Sequence, residues 1–262
     1  MEEKNPFKLV ASKKSRFILP NLLTIIGVCL GISSIKFALD DNYSLAVIFL
    51  VLAAILDALD GRIARLIKGT TEFGKELDSL TDFVSFGIAP AFILYFWELK
   101  NYGKVGWAIT LIFSVCCVLR LARFNLTKIS EDEEWKLNFF EGVPSPAGAG
   151  LALLPLVYEL SELKVNVDFR GMTPFFVLFV ALLLISKVPT FSLKKIKISS
   201  QLTIFLLFGI VIIFISLIFF TFESLLIIGA IYLFSIPVSY YSYKKTTKKI
   251  NNSPEEDHED IL

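Results

Sequence analysis

The sequence predicts an all-α membrane protein, a polytopic transmembrane bundle of about eight helices. Of its 262 residues, 55% are hydrophobic and only 19% are charged, and the mean hydropathy is +0.66. That composition is too apolar for a soluble domain of this length. The net charge of +1 shows no basic excess of the kind that binds nucleic acid, so we expect no nucleic-acid partner.

Apolar segments account for each predicted helix, by the criterion of about 20 apolar residues for one membrane span. They lie at 19–39, 44–67, 72–97, 105–125, 147–160, 172–187, 202–220 and 224–242. The first follows a basic stretch, as a signal peptide would, but it has no small-x-small cleavage site. We therefore predict that it is a retained first span. The fifth and sixth segments are the shortest.

The distribution of lysine and arginine among the loops predicts the orientation of the bundle. Basic residues are frequent in the N-terminal segment, between the second and third helices, after the fourth and sixth helices, and in the C-terminal tail. They are sparse near Asp40, Lys100, Lys164 and Glu223. Both termini and the connection between helices two and three are therefore expected on the cytoplasmic side.

Two aspartates occupy each of the second and third predicted helices: Asp57 and Asp60, then Asp78 and Asp82. A charged side chain inside a membrane span costs roughly 2.5–3.5 kcal/mol, so it usually faces a polar cavity or a partner. The first pair is spaced i,i+3 and the second i,i+4, so each pair lies on one face of its helix. A short turn joins the helices, and we expect the two faces to oppose each other.

Small residues accompany these aspartates at Gly61, Ala64 and Gly74, and we expect them to let the two helices approach closely. Four converging carboxylates repel one another unless protons or cations neutralise them. A set of oxygen ligands suits a hard divalent cation, Mg²⁺ above all. The alternative is a set of interfacial ion pairs between the aspartates and the nearby basic residues Arg62, Arg65 and Lys75.

The stretch from Asp57 to Asp82 reads D-x-x-D-G-x-x-A-R-x8-G-x-x-x-D-x-x-x-D. It resembles, without departure, the signature of the CDP-alcohol phosphotransferase family of membrane enzymes. The resemblance implies a six-helix catalytic core, usually dimeric. It also implies a metal-dependent reaction, with Mg²⁺ or Mn²⁺, that moves a substituted phosphate from a CDP-linked donor to an alcohol and releases CMP.

Further stretches between Pro20 and Leu160 narrow the resemblance: LPNLLT, KELDSLTDFVSFGIAP, LRLARFN and FFEGVPSPAGAG. They are similar to bacterial family members that use CDP-diacylglycerol as the donor and L-serine as the acceptor. The implied product is phosphatidylserine. The implied location is the lipid environment of the bacterial inner membrane, with a homodimeric enzyme whose active site is cytoplasmic.

The resemblance also implies roles for individual residues. The expected metal ligands are Asp57, Asp60, Asp78 and Asp82. Asp82 is also the candidate general base that takes the proton of the acceptor hydroxyl. The expected CDP-binding residues are Asn21, Asp60, Gly61, Arg65 and Gly74.

Two of these residues have structural alternatives. Asn21 would serve equally as the N-cap of the first helix, and Arg65 as an interfacial anchor. Arg120 and Arg123 are the candidates for binding the serine carboxylate, because a guanidinium suits planar bidentate recognition.

Other functions remain open at this stage. A related enzyme would use glycerol 3-phosphate or inositol phosphate as the acceptor. An ion-coupled membrane carrier would also contain intramembrane carboxylates, although it would usually show inverted repeats and broken helices. We divide the chain into a cytoplasmic segment (1–18), a catalytic transmembrane core (19–187), two additional helices (188–243) and a polar, disordered cytoplasmic tail (244–262).

Overall fold

A computed structural model describes residues 18–67, 71–126, 139–163, 169–191 and 200–251. Its α-helices are α1 (Ile18–Leu39), α2 (Tyr43–Leu66), α3 (Glu72–Asp82), α4 (Ala89–Trp97), α5 (Gly103–Leu126), α6 (Ser145–Ala152), α7 (Leu154–Leu160), α8 (Thr173–Ile185), α9 (Ser200–Phe219) and α10 (Thr221–Asn251). A π-helical turn, Phe83–Ile88, joins α3 to α4. Helical structure occurs at all eight predicted positions.

Five of the described helical segments are long and apolar enough to cross a membrane: Ile18–Leu39, Tyr43–Leu66, Glu72–Trp97, Leu99–Leu126 and Thr221–Thr247. Arg170–Ile185 is a shorter apolar helix. Large apolar side chains cover much of the outer surface, as on α9, where Phe205 is 75% exposed. The predicted all-helical membrane fold is confirmed.

The predicted helix at 147–160 is divided into α6 and α7. Pro155 lies in the first turn of α7, and a proline there cannot donate the backbone hydrogen bond that would continue α6. Pro144 occupies the N-cap of α6 and Pro146 its first turn. Prolines are tolerated at these positions because the first N–H groups of a helix have no intrahelical partner.

The last helix is longer than the sequence predicted. α10 continues past residue 243 to Asn251, so the first part of the segment expected to be a polar tail is helical. Lysine is a good helix former, and the hydroxyls of Thr246 and Thr247 bond to carbonyls one turn earlier, each at 3.0 Å. The rest of the expected tail (252–262) and the N-terminal segment (1–17) lie outside the described residues.

Two three-residue strands form a small antiparallel ribbon, β1 (Phe139–Glu141) and β2 (Pro189–Phe191), in which Phe140 pairs with Thr190. The turn after β1 is fixed by Gly142, whose φ is +75° and whose amide donates to the carbonyl of Val188 at 2.9 Å. The ribbon ties the segment after α5 to the segment after α8. Strands this short carry too little alternation to be predicted from sequence.

Helix α1 packs against α2, α3, α4 and the π-helical turn through a face of small residues, Gly27, Gly31, Ser34 and Ala38. A Cβ on Gly31 would lie 2.6 Å from Ser85 Oγ and 3.0 Å from Ser85 Cα. The close approach of α1 to the π-helical turn therefore depends on a small residue of α1 at position 31. The prediction that Gly61 draws two helices together is wrong, because a Cβ there would meet nothing within 4 Å.

The buried core lies between α4, α5, α7 and α8. Ile93, Leu94, Phe113, Leu156 and Leu184 are completely buried there. Gly148 on α6 lets that helix lie against α8, since a Cβ on it would be 2.6 Å from Leu184 Cδ2. This core fixes α5 relative to the helices that carry the aspartates.

We predict that Gly31→Ala destabilises the bundle, because the added methyl would press on the backbone of Ser85. Overpacking of this kind costs about 1–3 kcal/mol, more than the gain in helix propensity. The melting temperature in detergent should fall by a few degrees. Gly209→Ala is the matched control, since its Cβ would meet nothing within 4 Å. An unchanged melting temperature for Gly31→Ala would contradict the prediction.

Candidate active site

Three of the four aspartates that were predicted to bind a metal ion lie close together in the structure. Ligand oxygens of Asp57 and Asp60 on α2 and of Asp78 on α3 all lie within 4.8 Å of one another. Asp60 is buried, with 3% exposure, and the other two are half-buried. The spread of these oxygens is close to the roughly 4–5 Å that separates opposite ligands of one hard divalent cation. This set of carboxylate oxygens suits a hard divalent cation.

Helix α1 supports this cluster through Thr24, whose hydroxyl lies 2.6 Å from Asp60 Oδ2 and 3.0 Å from the carbonyl of Pro20. The bond to Asp60 links α1 to α2 across 36 residues of chain. A buried carboxylate needs such partners, since burial without them is costly. No role was predicted for Thr24; it belongs to the LPNLLT stretch, and that resemblance is the signal that could have identified it.

Asp82 lies one turn beyond Asp78 and takes a different position. Together with Asp57 and Asp60 it lines a small gap that also touches Ser85 and Phe86 of the π-helical turn. The carboxyl groups of Asp57 and Asp82 interact, and Arg120 on α5 interacts electrostatically with Asp82. π-helical turns occur often at functional sites. Asp82 therefore adjoins the three-aspartate cluster and interacts electrostatically with a buried cation.

A cavity of about 190 Å³ opens beside the three-aspartate cluster, between α1, α2 and α3. It is lined by all five residues predicted to bind CDP, namely Asn21, Asp60, Gly61, Arg65 and Gly74. Gly61 leaves its wall open, while a Cβ on Gly74 would lie 3.1 Å from Asn21 Oδ1. Any side chain at either glycine would reduce this space.

The structure bears on the structural alternatives given for Asn21, for Arg65 and for ion pairing of the aspartates. Asn21 lies inside α1, which begins at Ile18, so its interpretation as an N-cap is wrong. Arg65 is exposed, and its Nε donates to the carbonyl of Gly61 at 2.9 Å. Lys75 pairs instead with Glu72. Within the described part of the chain, none of the four aspartates forms a salt bridge with Arg62, Arg65 or Lys75.

The N-terminus of α3 also faces the cavity. Thr71 caps the helix by accepting a hydrogen bond from the amide of Gly74 at 2.9 Å, and both residues line the cavity together with Lys75. The unpaired amides and the dipole at a helix N-terminus favour a negatively charged group. One side of the cavity therefore suits phosphate, and the other carries the aspartates that suit a metal ion.

The two candidate arginines on α5 have different surroundings. Arg120 is 8% exposed, and its Nη1 donates to Ser145 Oγ at 2.7 Å. Its guanidinium carbon also lies 5.5 Å from the centre of the Phe124 ring. Arg123 donates to the carbonyl of Ile185 at 2.7 Å, at the C-terminal end of α8. Arg120 is thus bound to α6 and interacts electrostatically with Asp82, whereas Arg123 holds the end of a helix.

Comparison with known proteins agrees with this geometry. The family model described as CDP-alcohol phosphatidyltransferase matches residues 17–234. A Helicobacter pylori protein named CDP-diacylglycerol–serine O-phosphatidyltransferase is 36% identical over 207 residues, which cover 78% of this chain and 82% of the relative. A Mycobacterium tuberculosis protein of the same name is 43% identical over 148 residues, 55% of this chain and 51% of the relative.

The chain thus spans about half the length of the mycobacterial relatives that it matches. A Bacillus subtilis protein with the same name is 35% identical over 142 residues, covering 54% of this chain and 77% of the relative. The family model extends over most of the chain, and the matched region contains the aspartates and the cavity between α1, α2 and α3. The chain therefore belongs to the CDP-alcohol phosphatidyltransferase family.

Proposed function

We propose that the protein transfers the phosphatidyl group of CDP-diacylglycerol to the hydroxyl of L-serine, giving phosphatidylserine and CMP. The observation that carries the proposal is the convergence of Asp57, Asp60 and Asp78 beside a cavity lined by the predicted CDP-binding residues. The names of the relatives from three bacterial genera support serine as the acceptor.

Asp57, Asp60 and Asp78 are the residues that would hold a divalent cation, Mg²⁺ or Mn²⁺. When bound, such an ion offsets negative charge on the donor diphosphate and on the departing CMP. The diphosphate would occupy the adjoining cavity, near the N-terminus of α3, Lys75 and Arg65. Asn21 and the open backbone at Gly61 would contact the nucleotide.

Asp82 is the proposed general base. The serine hydroxyl is a weak nucleophile until its proton is removed. Asp82 would accept this proton as the serine oxygen forms a bond to the phosphorus that bears the diacylglycerol. The bond from that phosphorus to the CMP oxygen breaks, and CMP leaves with the electron pair. Asp82 suits this role because it lies beside the three-aspartate cluster and faces Arg120.

Arg120 is the better candidate for binding the serine carboxylate. Its guanidinium is buried and interacts electrostatically with Asp82. Ser145 accepts a hydrogen bond from one of its five N–H groups. A carboxylate bound there would leave the serine hydroxyl free to reach Asp82. Arg123 is bound to the end of α8, so we assign it a structural role.

The alternative acceptors fit less well. Glycerol 3-phosphate and inositol phosphate each carry a phosphate group and would require a denser basic pocket. Arg120 is the cation that interacts with Asp82 among the described residues. An ion-coupled carrier does not explain a cavity that combines a metal-binding cluster with a helix N-terminus.

We further propose that the enzyme is a homodimer, that its active site is cytoplasmic and that its catalytic core spans residues 19–187.

The decisive experiment incubates the purified protein with CDP-diacylglycerol and labelled serine, with and without a chelator. We predict labelled phosphatidylserine only when a divalent cation is present. Asp57→Asn and Asp78→Asn should each lower kcat/KM by more than about 100-fold, because losing a ligand costs at least as much as losing its outer-shell partner. Asp40→Asn, an exposed aspartate paired with Lys36, is the control. Full turnover in chelator would refute the metal assignment.

Arginine-to-lysine variants test the acceptor site. Arg120→Lys keeps the positive charge but loses the planar fork, so the KM for serine should rise about ten-fold while the KM for CDP-diacylglycerol stays constant. Arg123→Lys should instead lower the melting temperature and leave both constants nearly unchanged. The reverse result would assign the carboxylate to Arg123.

Cysteine labelling of intact cells tests the orientation. In a Cys29→Ser background, a cysteine at Asn42 should react with a membrane-impermeant maleimide, and a cysteine at Glu72 should react only after the cells are opened. This expectation follows from the asymmetric distribution of lysine and arginine. Labelling of position 72 but not position 42 in intact cells would reverse the assignment.

A further inference from the structure

We propose that helix α10, which follows the catalytic core proposed at 19–187, completes the acceptor site, and that the Tyr232 hydroxyl donates a hydrogen bond to the acceptor carboxylate bound by Arg120. This proposal rests on the proposed function and extends it. Tyr232 would be a specificity-determining residue, since it recognises the part of serine that distinguishes it from a simple alcohol.

The Tyr232 hydroxyl is buried and, among the residues that the structure describes, has no hydrogen-bond partner. Leaving a buried hydroxyl without a partner costs about 1–3 kcal/mol, so such groups in proteins usually meet a water or a ligand. Thr190 on β2 lies near it, and the Thr190 hydroxyl donates its own proton to the carbonyl of Gly142 at 2.9 Å. The Thr190 oxygen can still accept a hydrogen bond, but the Tyr232 hydroxyl has no hydrogen-bond partner among the described residues. Its proton is therefore available for a ligand.

The packing of α10 brings this hydroxyl towards the proposed chemistry. α10 contacts β2, α6 and α7, and Tyr232 interacts electrostatically with Arg120. Tyr232 lines an apolar cavity of about 330 Å³, which Phe86 of the π-helical turn also lines. The tyrosine thus borders apolar space and also interacts electrostatically with the buried arginine.

A carboxylate is the group that these surroundings suit. It carries the charge opposite to Arg120 and offers about four acceptor sites on its two oxygens, enough for a bidentate guanidinium and one hydroxyl. Asp82 also interacts electrostatically with Arg120, and its negative charge would repel a second carboxylate. An amino-acid acceptor would therefore turn its carboxylate towards Arg120 and Tyr232 and its hydroxyl towards Asp82.

The apolar cavity offers a competing partner for the hydroxyl. An acyl chain of the lipid donor would fit an apolar space of this kind, and the hydroxyl would then donate to an ester carbonyl of the donor. Removing the hydroxyl would in that case weaken the donor and leave serine unaffected. The two partners therefore give opposite kinetic results.

The test compares Tyr232→Phe with wild type, using the full chain in detergent. The KM for L-serine should rise about ten-fold, because a hydrogen bond to a charged group is lost. The KM for CDP-diacylglycerol should not change, and kcat should stay within roughly two-fold of wild type. Tyr240→Phe, on an exposed position of the same helix, is the matched control and should change neither constant.

A thermal shift gives a second reading that does not depend on turnover. Without serine, Tyr232→Phe should melt at or above the wild-type temperature, because the variant removes an unsatisfied buried hydroxyl. Adding L-serine should raise the melting temperature of wild type more than that of the variant at the same concentration. Equal shifts would overturn the proposal.

The kinetic outcomes separate this proposal from the proposed function. A raised KM for the donor would assign the hydroxyl to CDP-diacylglycerol and overturn the acceptor role. Unchanged constants in Tyr232→Phe, with serine-dependent product from wild type, would overturn the acceptor role alone. A wild-type protein that makes no serine-dependent product would overturn the proposed function, and the role of Tyr232 with it.

Discussion

The structure depends on one constraint, the placement of four carboxylates within an apolar helix bundle. A carboxylate surrounded by hydrocarbon is costly, and several together also repel one another. The bundle meets this constraint by opening a polar cavity where α1, α2 and α3 come together. Thr24 bonds to the most buried of the group, Asp60, and the donor set favours a divalent cation that would balance the remaining charge.

Helix α1 makes this arrangement possible because the face that packs against the other helices consists of small residues. Gly31 lets it lie against the π-helical turn, and its first two turns carry Asn21 and Thr24 to the cavity. The same rigid contact fixes the π-helical turn that follows Asp82. Apolar packing and site geometry are thus linked, because the residues that bring the helices together also determine where the aspartates point.

The same need for polar partners applies to the buried arginine, and the last helix packs close to that arginine. Arg120 lies in a mainly apolar bundle, where a guanidinium needs partners, and it finds Ser145, the Phe124 ring and the field of Asp82. α10 packs against the ribbon strand β2 and reaches the neighbourhood of Arg120. The last helix of the described chain thereby comes close to the proposed acceptor site.

The sequence by itself determined the helices and grouped the four aspartates as candidate metal ligands, because apolar length and the spacing of aspartates on a helix are local properties. The resemblance to the family supplied the chemistry expected of them. The structure brings Asp57, Asp60 and Asp78 together in a cluster that does not include Asp82. Only the tertiary structure decided that Gly31 rather than Gly61 brings helices together, that Arg120 and Arg123 have different partners, and that Thr24 and Tyr232 lie near the site. Those facts depend on contacts between residues far apart in the chain, and no local pattern in the sequence encodes such contacts.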